Sequence, residues 1–472
     1  MLTMDVDSSV GDESSHIGLN SRCYSDTFSE NQAQSWDLRF EDTSSEQNFF
    51  SLLSILEYLI LFYLICTSFT SCSSPYTNSS SNLDHIMLTS DIFCVDLVSA
   101  FFVLFGFVCA FVYYRVGVQV FAYMRTDVLI SIFVDLWCSG IAALAIGSID
   151  ALIKKRFKFT DIGLTLIEHG VALRCLDVHQ SLLSPHSLNV SSWPVQCIVW
   201  CLFSVHPTLT TNHFLFTQFN IFGRYAVMVM AVCGIVLFTL FGMLHNHSNI
   251  FYANSTAFTY RTLEFNLGIH LFYLSEVEDG ITLNLINLLQ KSGRGILFVF
   301  LCIWWSEIGS LSPSYKKDEI CLRLYPLNNC LRDHHAFLLR GCFLGIGLIS
   351  IFVTQEKNDA STPKTKVCDK IQRIHILASA ATFAWPVYQT IQLIFIITFG
   401  EESINKNMPL MSVLQPCFLL LSATLYVYFA KPKMSMELKK FVSSFSRTGD
   451  ANWDSNRSEL TDEVEDLQDM EA

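Results

Sequence analysis

Between Asn48 and Ala430 the chain returns again and again to apolar runs of about 20 residues, the length at which an α-helix crosses the hydrocarbon core of a bilayer. Inside that core no water is present to bond backbone N–H and C=O groups, so such runs are stable only as helices or closed barrels. Continuous apolarity, without strict alternation, selects helices. The composition agrees: 51% of residues are hydrophobic and 15% charged, against about 25% charged in soluble domains. The expected fold is therefore all-α, a polytopic integral membrane bundle. Ten spans are predicted, at 49–71, 92–114, 127–149, 194–210, 224–244, 260–275, 295–312, 336–354, 375–399 and 409–430.

The formal charge of −13 is unevenly placed. The N-terminal 48 residues hold 10 acids and 2 bases, and residues 450–472 hold 9 acids and 1 base, so each tail carries −8 and the remainder +3. The ends are rich in Ser, Asp and Glu, which gives a three-part organisation: a disordered acidic tail over 1–48, a transmembrane domain over 49–430, and a basic then acidic disordered tail over 431–472. Residues 1–30 lack the positive start and apolar core of a cleavable leader, so the first span is expected to direct insertion itself. Nothing in the charge pattern suggests a nucleic acid, and the partner implied throughout is the lipid bilayer.

Two basic stretches orient the bundle. Lys357, Lys364, Lys366, Lys370 and Arg373 lie before the ninth span, and Lys431, Lys433, Lys439 and Lys440 follow the tenth. Positive residues favour the cytoplasmic side, which places both termini there. Glycosylation sequons at Asn78, Asn189, Asn246 and Asn254 then all fall on the outer side, while Asn456 falls inside and is expected to stay unmodified. Lys154, Lys155, Arg156 and Lys158 run against the rule, since this topology puts them outside. The 16 cysteines are scattered, many within apolar runs, where they are read as small core residues. No Cys/His spacing suits a metal. Cys321 and Cys330 share one outer loop, where they pair in an oxidising compartment and otherwise remain thiols.

Charge inside such segments is rare and costly, which singles out Arg261 and Glu264. They are three apart, on one helical face, in Phe251-Tyr252 … Arg261-Thr-Leu-Glu264-Phe-Asn-Leu-Gly268. Three further stretches accompany them. Val95-Asp96-Leu-Val-Ser-Ala-Phe101-Phe102-Val-Leu-Phe105-Gly106-Phe107 lies in the second span; Ser192-Trp193 opens a helix expected to end at Pro207; and Trp385-Pro386-Val387 with Tyr426-Val-Tyr-Phe-Ala-Lys431-Pro432 close the domain. Together and in this order they resemble the membrane acyltransferase-3 family over most of residues 49–440. The resemblance implies transfer of an acyl group from a donor such as acyl-CoA, a co-substrate and not a bound cofactor, to a hydroxyl acceptor at or across the membrane.

The same resemblance exposes departures. The family carries an Arg and, about three turns later, a His serving as general base in its first helix. Glu57 and Ser68 stand at those positions, and Ala384 replaces the His before Trp-Pro. A hydroxyl holds its proton too tightly to do the imidazole's work. Glu57, a carboxylate within an apolar span, is the candidate substitute base, with the alternatives that it is protonated or only pairs with Arg125 or Arg261 to fix helix packing. Asp96 and Glu264 join it as candidate catalytic carboxylates. Arg261, Arg125 and His270 are candidate substrate-binding residues, with a packed structural role the alternative for His270. Asp135 is a weaker intramembrane candidate. The opposing functional reading is a relative that kept the bundle and lost catalysis, serving as a membrane transporter, receptor or lipid-binding scaffold.

Overall fold

A computed structural model describes residues 43–70, 82–153, 193–218, 258–276, 341–350, 364–399 and 402–441, with short helical pieces between 223 and 237 and Gly295. All regular structure among them is helical: α1 (Thr43–Thr70), α2 (Asn82–Phe111), α3 (Val118–Ile153), α4 (Trp193–Gln218), α5 (Phe258–Ser275), α6 (Gly341–Ser350), α7 (Lys364–Phe399) and α8 (Glu402–Leu425). Short π-helical turns, Val112–Val116 and Tyr426–Ala430, extend α2 and α8, and helix resumes over 431–441. Helix therefore begins before the expected Phe49 and continues into the segment expected to be disordered.

Among the described residues, four helices are long and apolar enough to cross a membrane: Asn48–Cys66, Asp96–Val116, Val118–Ile149 and Leu414–Phe441. The pair Asp369–Ala384 and Pro386–Phe399, bent by 51°, makes a fifth if counted as one span. This is fewer than the expected ten. Of the other five, α4 and α5 are helices as expected but carry polar residues that lower their apolarity: Ser204, His206, Thr208, Thr210 and Asn212 in α4, and Arg261, Glu264, Asn266 and His270 in α5. The expected span 336–354 is described only as α6, 224–244 only as helical pieces between 225 and 237, and 295–312 only at Gly295.

The helix expected to end at Pro207 does not end there. Pro207 lies inside α4, which runs on to Gln218. A proline removes one backbone donor, and in the same turns Thr208 Oγ1 donates to Ser204 O at 2.8 Å and Thr210 Oγ1 to His206 O at 2.9 Å. Pro386 sits at the bend of α7, where Thr390 Oγ1 donates to its carbonyl at 2.8 Å. The turn from α2 to α3 is a single residue. Gly117 adopts φ +117, a conformation only glycine enters without strain, and its N–H closes the first π turn on Val112 O at 3.1 Å. The third span therefore starts at Val118, and Arg125 lies within α3, not in a loop as expected.

α2 occupies the centre: 78% of its most apolar window is buried, against 33%, 39% and 22% for the other three long spans. Paired contacts give helix directions. Ser99 meets Arg261, Phe107 meets Phe272 and Tyr114 meets Tyr273, so α2 and α5 run parallel. Gly341 lies on Ser99 and Gly345 on Val103, which makes α6 parallel to α2 as well. Phe49 stacks on Phe111, so α1 is antiparallel to α2. Lys439 meets Asp127 and Lys431 meets Asp135, so the last helix is antiparallel to α3.

Candidate functional site

Glycine brings α2 and α5 together more closely than side chains allow. Gly106 rests on the carbonyl of Phe265, and Gly268 on the carbonyl of Val103. A β-carbon at either position would occupy the space of the opposing backbone. Backbones this close leave little room for flexible polar groups, and the residues one to two turns away fill what remains. Phe102, Phe107, Phe265 and Phe272 are all buried there, with Phe107 edge-on to Phe272 at 5.4 Å.

One end of this seam holds the charges. Arg261 Nη1 bonds Glu264 Oε2 at 2.5 Å and donates to Ser99 Oγ at 2.7 Å. Cys342 of α6 donates its thiol to Glu264 Oε1 at 3.7 Å. The Arg261 guanidinium also lies 5.8 Å from the centre of the Phe102 ring. Arg261, Glu264, Ser99 and Asp96 are each 0% exposed. Asp96 lies one turn before Ser99 on α2, its carbonyl against Gly341 and its charge within electrostatic reach of Cys342, which Arg261 and Glu264 also flank. Residues 162 positions apart in sequence, Ser99 and Arg261, thus share one buried cluster. In a water-excluded interior an isolated charge is prohibitive, so the pair is held by its mutual attraction and these extra bonds.

The other expected site residues are elsewhere. Glu57, placed as a substitute base, is in an ion pair: Lys370 Nζ lies 2.6 Å from its Oε2 and Arg373 Nη1 3.8 Å from its Oε1. The partners come from α7, and neither Arg125 nor Arg261 is among them. Lys370 sits against the rings of Phe50 and Tyr58, at 5.1 and 6.0 Å. Arg125 is half-buried on α3, in the stretch that joins Asp127 to Lys439. His270 is buried on α5; six residues past Glu264 is a rotation of about 240°, so it faces another side of that helix. Ala384 is buried within α7, whereas the side chain of Ser68 lies outside the described residues, as do Asn78, Asn189, Asn246, Asn254, Asn456, Cys321 and Cys330.

A second charged cluster involves residues that the sequence reading used only for orientation or ranked low. Lys431 Nζ bonds Asp135 Oδ2 at 2.7 Å and Ser379 Oγ at 3.0 Å, and Ser379 Oγ donates to Asp135 Oδ2 at 2.9 Å. Lys370 and Lys431 belong to the basic stretches expected to mark the cytoplasmic face, yet both are buried in ion pairs. The signal for Lys431 was present: an intramembrane Asp135 requires a cation, and Lys431 directly continues the apolar run Tyr426–Ala430.

No family model, curated protein or solved structure matches the chain.

Proposed function

We propose that the chain is an integral membrane protein built on an acyltransferase-3-like bundle of ten spans, in which the cluster around Arg261 and Glu264 fixes the helices and conventional acyl transfer has been lost. It then serves as a membrane transporter, receptor or lipid-binding scaffold. The observation that carries this reading is the pairing of Glu57 with Lys370 and Arg373. Its two oxygens each face a cation of α7, and no imidazole stands at Ser68 or Ala384 to take the base's place. The fully buried Arg261–Glu264 pair has its charges committed to each other. The alternating helix directions of α1, α2, α5, α6 and the last helix support the expected up-and-down order. With both termini cytoplasmic, α5 enters from the outer face.

A specific observation favours the second reading, an acyltransferase moving an acyl group from acyl-CoA to a hydroxyl. Asp96 joins Arg261 and Glu264 from a distant motif, as a shared site requires. One assay separates the readings. The purified protein in detergent or nanodiscs is offered labelled acyl-CoA, with a conventional family member as positive control. The non-catalytic reading expects no hydrolysis or transfer above the protein-free rate. Turnover that is abolished by both Asp96→Asn and Glu264→Gln, in variants that remain folded, overturns it in favour of the enzyme.

A further inference from the structure

The junction of α1 and α7 carries charge on a surface that faces out of the bundle. Glu57 is the only charged residue of the spanning stretch Asn48–Cys66, and Arg373 is the last one of α7, since 374–399 holds no Lys, Arg, Asp or Glu. The fold sets them side by side, with Lys370 Nζ 2.6 Å from Glu57 Oε2 and Arg373 Nη1 3.8 Å from Glu57 Oε1. Lys370 is nearly buried and neutralises the carboxylate. Arg373 is not needed for that: its side chain is 61% exposed, and its approach to Glu57 is too long for a hydrogen bond. Cations outnumber carboxylates here. Lys364, Lys366, Lys370 and Arg373 lie on the first three turns of α7, against Asp369 of the same helix and Glu57 of α1. Among the described residues no ion pair joins the exposed Asp369 to Arg373. Beside these charges α1 presents an apolar strip. Tyr58, Phe62 and Ile65 are 57%, 51% and 39% exposed, and their spacing puts them on one helical face. Lys370 Nζ lies 6.0 Å from the Tyr58 ring, so the strip begins at the cations and runs away from them along the span.

We propose that this junction binds an anionic phospholipid, with the headgroup phosphate on Arg373 and one acyl chain along Tyr58, Phe62 and Ile65. The exposed face of a spanning helix meets lipid, and a guanidinium left there without an anion is costly. Two phosphate oxygens match the fork of guanidinium donors, and the Glu57 carboxylate, already engaged by Lys370, does not fill that fork. Glu57 stands nine residues past Asn48, roughly 14 Å along the helix. At that depth a soluble ion is excluded together with the water that carries it. A lipid brings its own phosphate, towards which the long arginine side chain extends. The strip on α1 then gives the acyl chain a surface continuous with the headgroup contact. The inference rests on α1 and α7 crossing the bilayer and on neither reading of the activity.

The test is native mass spectrometry of the full-length protein released from nanodiscs of equal phosphatidylglycerol and phosphatidylcholine with identical acyl chains. The wild type is expected to retain phosphatidylglycerol over phosphatidylcholine by about fivefold, the weight of one cation at an anionic surface. Arg373→Gln is expected to remove that preference, and Arg373→Lys to keep part of it. Phe62→Ala is expected to weaken retention of both lipids alike, because it touches the chain and not the headgroup. Lys433→Gln, which removes an exposed cation of the last helix, is expected to change neither. Equal retention of the two lipids by the wild type overturns the site, as does an Arg373→Gln protein with the wild-type preference. A loss in Lys433→Gln as large as in Arg373→Gln assigns the preference to diffuse charge and overturns it too. So does a preference abolished by excess inorganic phosphate, which would mark a site for a soluble anion. A chain that does not enter nanodiscs overturns the spanning helices, and the site with them.

Discussion

Arg261 has the largest fully buried side chain among the described residues, and its guanidinium is met from several sides. Two go to Glu264 and Ser99, and Phe102 covers one side. Removing one member of such a pair strands the other. Glu264→Gln and Arg261→Met are each expected to destabilise the protein by about 3–5 kcal/mol. The double variant is expected to lose less than the sum, which unfolding in detergent measures directly. Additive losses would show that the pair does not act as a unit. Glu57 is a milder case because it and Lys370 keep a little exposure, 13% and 10%. Glu57→Gln is expected to cost about 1–3 kcal/mol by leaving Lys370 short of a partner, and Lys370→Met combined with it is expected to recover part of that loss.

At the scale of elements, the interlock of α2 and α5 depends on absence of side chain. Gly106 and Gly268 each face a carbonyl of the other helix, as small residues do at close helix crossings in membranes. Gly268→Ala and Gly106→Ala are each expected to force the helices apart and cost about 1–3 kcal/mol or more. Gly117→Ala is expected to destabilise for a different reason, a strained positive φ with open space around it. Comparing the three by thermal unfolding separates crowding from backbone strain, because larger side chains worsen the first two progressively and leave the third nearly unchanged beyond alanine. The Arg-x-x-Glu-x-x-x-Gly spacing was legible in the sequence, and the structure gives it a physical meaning: the pair and the glycine lie on the same seam.

For the whole molecule, the proposed order places Asn78, Asn189, Asn246 and Asn254 outside and Asn456 inside. Changing the four to Gln is expected to remove all glycosidase-sensitive mass, and modification at Asn456 would reverse the assigned orientation. The charge rule behind that orientation needs recounting, since Lys370 and Lys431 serve ion pairs within the bundle and do not mark a surface. Lys433 and Lys440 are exposed in the last part of the Leu414–Phe441 helix.

Apolar runs by themselves determined that the chain folds as helices suited to a bilayer, because a backbone in hydrocarbon must satisfy its own hydrogen bonds wherever the chain goes. Local spacing determined that Arg261 and Glu264 meet, because positions three apart on a helix are neighbours. Which charge neutralises Glu57 and which neutralises Asp135 was decided only by the tertiary packing. Their partners Lys370 and Lys431 lie hundreds of residues away, and in sequence a lysine at the end of an apolar run is the same whether it faces lipid headgroups or a buried carboxylate. The packing also turned Glu57 from a candidate base into half of an ion pair, since only the fold brings Lys370 beside it.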